Sequence, residues 1–141
     1  MLQSQSEIAK SIAIKAHLGQ IDKAGKPYIE HPAFVASCVD GDEAKAVAWL
    51  HDVVEDTSIS FEDLAREGFS SDVLSALRLL THQKSEPYFD YIRKVKKSAL
   101  ATEVKLADLK HNSDLNRLRI VTEEDLHRQR KYLTAIEILT S

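Results

Sequence analysis

The chain has 141 residues, enough for one compact domain whose core needs no disulfide or metal staple. With 43% hydrophobic and 29% charged residues it shows no apolar run near the length of a membrane span, and "MLQSQSEIAK" lacks the apolar stretch of a signal peptide. A net charge of −3 argues against broad nucleic-acid binding, while the single cysteine, Cys38, excludes a disulfide framework or a thiolate zinc cluster and fits a cytoplasmic protein.

In chain order, Ile8, Ala9, Ile12, Ala13 and Ala16 make an apolar stripe at helical spacing that breaks at Gly19. The segment "DKAGKPY" is a loop punctuated by Gly25 and Pro27. His31-Pro32 opens a short helix through Val39, Pro32 being suited to a first helical turn. The stretch "DGDEAKAVAWLHDVVE" predicts one Ala-rich helix begun by Asp40 or Asp42. Short helices follow around Phe61–Arg66 and Ser71–Leu80, the second with Val73, Leu74, Leu77 and Leu80 on one face. Pro87 leads into Tyr88, Tyr91, Ile92 and Val95, again spaced by three and four. Ser98 caps a helix through Asn112. Thr122, with Asp125 three residues on, resembles a capping box for a last helix whose apolar positions are Leu126, Leu133 and Ile136. Alternating strands, linkers and repeats are absent. The expectation is an all-α single domain over residues 1–141, with too many short helices for a simple four-helix bundle. Arg93, Lys94, Lys96 and Lys97 read as a solvated basic helix face, and Cys38 as a small core residue.

Imidazoles and acids gather in three places. "YIEHPAFVA" puts His31 at a helix start, and "WLHDVVED" puts His51 beside Asp52 at the polar end of an apolar helix. "VKLADLKHN" puts Asp108 inside an apolar helix with Asn112 four residues later on the same face. Singly, each has an ordinary reading: a capping or exposed His, a chance His-Asp neighbour, a buried ion pair from Asp108 to a Lys or Arg. Buried acids are costly unless something positive answers them. Taken together, two imidazoles and two carboxylates make a nitrogen and oxygen shell suited to Mn, Fe, Co or Zn rather than Ca. His51 and Asp52 differ by roughly 100° around one helix axis, so both reach one ion only if it lies beyond the helix edge. Glu55 shares a helix face with His51. Acids such as Glu55 and Asp56, beside a metal but not bound to it, suit positioning or deprotonating water; their other reading is helix-end solvation. There is no glycine-rich phosphate loop, nucleophile elbow or CxxC.

The ordered pieces "AHLGQIDKAGKPYIEHPAFVA", "AWLHDVVEDT", "LLTHQK" and "VKLADLKHNSDLNRL", spanning residues 16 to 118, resemble the HD-domain metal-dependent phosphohydrolases. More narrowly, they are similar to the hydrolase domain of the stringent-response enzymes that make and degrade (p)ppGpp, and to stand-alone small alarmone hydrolases. The resemblance implies a metal, usually Mn²⁺, held by His31, His51, Asp52 and Asp108, with Glu55 and Asp56 activating and orienting the attacking water. It implies Lys23 near the nucleotide, Asn112 near its sugar or base, and removal of the 3′-pyrophosphate from an alarmone. Lys23 and Lys105 could offset substrate charge, although Lys105 reads equally as a surface lysine. Asp22 stands where family members often carry an Arg able to stack on guanine, and Leu109-Lys110 where an Arg-Leu pair commonly follows "KLAD". Nothing here matches the synthetase half of the long enzymes. Two rival readings stay open: an HD phosphohydrolase of another nucleotide or a phosphodiester, favoured by Asp22, and a catalytically silent nucleotide-binding regulatory domain, against which Glu55 and Asp56 speak. The oligomeric partner is not legible in the sequence.

Overall fold

Helix-breaking residues and side-chain caps divide the chain into short rods. The computed structural model describes residues 3–141, and its elements run α1 (Gln5–Ala16), α2 (Glu30–Ser37), α3 (Asp42–Leu50), α4 (Val53–Asp56), α5 (Phe61–Ala65), α6 (Ser71–Leu80), α7 (Tyr88–Val95), α8 (Ala99–Asn112), a 3-10 turn (Leu115–Arg117) and α9 (Glu123–Thr140). The fold is all-α as expected; among the described residues the sole β feature is an isolated bridge between Ile21 and Pro27. No described helix is long and apolar enough to cross a membrane.

Local chemistry accounts for many of the starts. Ser4 with Glu7, Ser60 with Asp63 and Thr122 with Asp125 form capping boxes that satisfy free N–H groups at the openings of α1, α5 and α9. Ser70 and Ser98 cap α6 and α8 through their hydroxyls.

Two helices carry the core. α3 packs against α1, α2, α6 and α8, and α8 packs against α2, α3, α6, α7 and α9. Small residues permit this, since Ala44, Ala46 and Ala48 in α3 and Ala101 and Ala107 in α8 are buried and let neighbours approach on several sides. The surrounding helices show narrower stripes: Val73, Ala76, Leu77 and Leu80 in α6, and Tyr91, Ile92 and Val95 in α7. Fully buried side chains such as Leu50, Leu77, Ile92 and Leu109 each contribute about 1.5–3 kcal/mol by leaving water. Asp108, 3% exposed in the middle of α8, is the anomaly in this packing.

The structure corrects three expectations. The single helix expected over "DGDEAKAVAWLHDVVE" is broken at His51-Asp52, which form a turn between α3 and α4. The Ala48 carbonyl, which an unbroken helix would give to the Asp52 N–H, lies 2.6 Å from the His51 ring Nδ1 instead. Asp42, one of the two expected starts, opens α3, and its carboxylate also serves α1, accepting from the backbone N–H groups of Gln5 and Ser6 and from the Ser6 hydroxyl. In α9, Leu126 and Leu133 are 39% and 48% exposed, while Ala135 and Leu139 are buried. Ile136, the third expected position, packs against the core, and the inward face also carries Arg128 and Tyr132 because part of it borders a cavity. Cys38, expected in the core, ends α2 and is exposed. The basic run behaves as a solvated face, with Arg93 paired to Asp90 and Lys94 to Glu86.

Candidate functional site

A tight loop between α1 and α2 sets the first side chain. The Asp22 carboxylate accepts from the backbone N–H groups of Ala24 and Lys26, at 2.8 and 3.0 Å, and the Asp22 N–H donates to the Lys26 carbonyl. Gly25 takes φ +81°, a conformation in which any side chain would be strained. The loop closes with Tyr28 N–H on the Gln20 carbonyl, and His31 follows in the first turn of α2, 3% exposed.

Three segments then converge. His31 Nε2 lies 2.8 Å from Asp108 Oδ1 and 3.8 Å from Asp52 Oδ2, and His51 Nε2 lies 3.3 and 3.0 Å from the same two oxygens. One donor atom from each of His31, His51, Asp52 and Asp108 falls within 4.8 Å of the other three. The break at the end of α3 is what allows this, because it turns the adjacent His51 and Asp52 toward one point despite their offset in a regular helix. Two imidazole nitrogens and two carboxylate oxygens at this separation fit a divalent transition metal.

Each donor is oriented from behind. His51 places Nδ1 on the Ala48 carbonyl, leaving Nε2 toward the carboxylates. His31 places Nδ1 2.6 Å from His111 Nδ1, and the His111 ring stacks on Phe34 with centroids 4.2 Å apart. Burial, the Arg117 guanidinium and His31 push the His111 pKa down to about 4, so its neutral ring can accept the His31 Nδ1–H and leave Nε2 of His31 for the cluster. Tyr28 donates its hydroxyl to Asp52 Oδ2. Asn112 donates to Asp108 Oδ1 at 3.0 Å, and the Lys105 ammonium sits 2.9 Å from Asp108 Oδ2.

The charges answer one another. Burial would raise Asp108, but Lys105 and His51 hold it well below the carboxylate range; burial opposes the same fall in Asp52, which His51 brings to about 2. Burial also disfavours a charged His51, and Asp52 and Asp108 overcome it, holding its pKa well above the usual imidazole value. Lys105, joined by His51 whenever its ring is protonated, therefore compensates the two buried acids. The ion pair to a lysine that was the ordinary reading of Asp108 exists alongside the cluster.

Two cavities flank it. One of about 310 Å³ is lined by the loop residues Ile21 to Ala24 together with Asn112, Arg117, Arg128 and Tyr132. The other, about 290 Å³, is lined by His51, Asp52, Glu55, His82, Lys105, Lys131 and Tyr132 among others. Lys23 thus borders the first cavity, Lys105 the second and Asn112 both. Glu55 borders the second, where its carboxylate accepts from the His82 backbone N–H; burial and the nearby Asp52 raise its pKa. Asp56 lines neither cavity, although burial and Asp52 raise it too. Sequence reasoning missed Tyr28, His82, His111, Arg117, Arg128, Lys131 and Tyr132. The "HN" after "KLAD" was a signal for His111; the α9 residues had none, because the expected stripe counted the outward-facing Leu126 and Leu133.

No protein-family model matches the chain. The guanosine-3′,5′-bis(diphosphate) 3′-pyrophosphohydrolase of Haemophilus influenzae is 36% identical over 116 residues, covering 72% of this chain and 17% of that protein. The guanosine-3′,5′-bis(diphosphate) 3′-pyrophosphohydrolase MESH1 of Danio rerio is 37% identical over 108 residues, covering 68% of this chain and 59% of that protein. A solved structure described as a metazoan ortholog of SpoT that hydrolyses ppGpp and plays a role in starvation responses matches with a TM-score of 0.78 at 28% identity, over 99% of this chain and 87% of its own. The chain spans less than two thirds of the length of these curated relatives. Its sequence is homologous to proteins named as ppGpp 3′-pyrophosphohydrolases, as the ordered motifs suggested, and its helical fold is that of the metazoan structure.

Proposed function

We propose that this chain is a metal-dependent hydrolase of (p)ppGpp, acting as one HD-type domain on the 3′-diphosphate of the nucleotide. The observation that carries the reading is the convergence of His31, His51, Asp52 and Asp108 on one point between two cavities. In this reading the four side chains hold Mn²⁺, which when bound polarises the phosphoryl group and acidifies a water molecule. The similarity to named 3′-pyrophosphohydrolases supports the substrate class.

The protein's own groups have the following parts. The Glu55 carboxylate, raised by burial, accepts the proton of the attacking water, and the His82 N–H fixes its position. Asp56 is kept as its partner in orienting that water. Water oxygen bonds to phosphorus as the 3′ oxygen leaves, giving a nucleoside diphosphate or triphosphate and pyrophosphate. Lys23 and Asn112 bind the nucleoside side, and Lys105 offsets negative charge beside Asp108. The substrate is a nucleotide, with neither nucleic acid nor membrane as partner, in the cytoplasmic setting that a lone free cysteine suggests.

Asp22 favours a second reading at the level of the base. Its carboxylate is committed to the loop and lies 3.5 Å from Arg117, so this corner meets a base with a compensated acid–cation pair. The test is to assay Mn²⁺-loaded protein against ppGpp, pppGpp, their adenosine analogues, dNTPs and cyclic dinucleotides, detecting pyrophosphate. Release from guanosine and adenosine alarmones at comparable rates is expected. Inertness toward every 3′-pyrophosphorylated nucleotide overturns the reading, and a strong guanosine preference overturns its base-tolerant part.

A further inference from the structure

We infer that Lys131 is the diphosphate-binding cation of the second cavity, an inference that rests on the hydrolase reading for its choice of ligand. Lys105 and Lys131 both face this space, but they differ in commitment. The Lys105 ammonium is bound to Asp108 at 2.9 Å. Lys131 makes no ion pair with any carboxylate among the described residues, and instead stands over the rings of Tyr88 and Tyr132, 4.4 and 5.5 Å from their centroids. An ammonium seated on aromatic faces is positioned without spending its three N–H donors on an acid. They remain for an anionic ligand.

The surroundings strengthen the point. Burial lowers the Lys131 pKa, and the neighbouring cations Arg128, Lys105 and Lys23 lower it further; of these only Lys105 shares its cavity. Of the cations lining the second cavity Lys105 already has its acid, so the charge that Lys131 carries is the one left for a ligand. The first cavity carries the apolar Ile21, Leu115 and Leu118, a lining for a nucleoside. The second combines His82, Lys105 and Lys131 against the cluster, a lining for phosphates. Arg128 fits less well than Lys131 as the free cation because it is paired with Asp125 at 2.5 Å.

Calorimetric titration of inorganic pyrophosphate into the metal-loaded chain tests this, with Lys131→Met keeping the aliphatic stem over the tyrosines and removing the charge. Pyrophosphate affinity should fall about tenfold or more, as for loss of a hydrogen bond to a charged group. Affinity for guanosine 5′-monophosphate and metal stoichiometry should not change, and Lys131→Arg should largely restore pyrophosphate binding. Unchanged pyrophosphate affinity in Lys131→Met overturns the inference, as does an equal loss for both ligands. Protein that hydrolyses no alarmone but binds pyrophosphate through Lys131 would overturn the hydrolase reading and support the cation assignment.

Discussion

Two acid-bearing regions of this molecule treat carboxylates in opposite ways. At the junction of α1 and α3, Asp42 is answered by the backbone N–H groups of Gln5 and Ser6 and by the Ser6 hydroxyl, and Glu43 accepts from the Ser70 hydroxyl at 2.6 Å. None of these donors titrates in the ordinary pH range, and the Ser6 contacts hold the Asp42 pKa below its usual value. At the other end of α3, Asp52 and Asp108 are answered by imidazoles and the Lys105 ammonium. Those partners can lose a proton or change their contacts, so the acids can accept an ion in their place. A carboxylate satisfied by fixed dipoles is a piece of the fold; one satisfied by titratable side chains from several elements is available for chemistry.

The strongest way to break this comparison is His51→Ala. It removes one donor from the cluster, and loss of a ligand should weaken metal binding by at least about 100-fold, the upper range for losing even an orienting neighbour. Metal content by mass spectrometry and pyrophosphate release should fall together. Unchanged metal stoichiometry would place the ion elsewhere. Glu55→Gln sharpens the comparison within the site. It should leave metal content intact and lower turnover by about 10²–10⁴, the usual cost of losing a positioned general base. Asp56→Asn should cost less, since Asp56 lies outside both cavity linings. Near-normal turnover in both variants would return these acids to helix-end solvation.

The smallest effect belongs to the other region. Asp42→Ala should cost about 1 kcal/mol of stability, the usual value of an N-terminal cap, and lower the melting temperature by about 3 °C. Metal content and turnover should be those of the wild type. The sign with pH follows from the lowered Asp42 pKa. The difference between wild type and variant should be full above the ordinary carboxylate range and should shrink as pH falls through the lowered value. A loss of metal in this variant would erase the distinction between the two regions.

Much of this was legible before any coordinates, and particular residues show why. Ser98 and Thr122 announce helix starts because a cap acts within one turn of its own backbone. Gly25 and Pro27 mark a loop because their backbone preferences act locally, and Asp108 is conspicuous because a buried acid needs compensation wherever the chain goes. The ordered motifs likewise named His31, His51 and Asp52 as its companions, and the structure brings those four together. Tertiary structure alone decided the rest. The turn at His51-Asp52 is held where His51 meets Asp108, 57 residues on, and the inward face of α9 depends on the cavity it borders with α8. Lys131 likewise reaches the ring of Tyr88 and the cavity it shares with Lys105 only because α9 packs on α7 and α8. Those outcomes turn on distances between segments far apart in sequence, which no local spacing of residue types encodes.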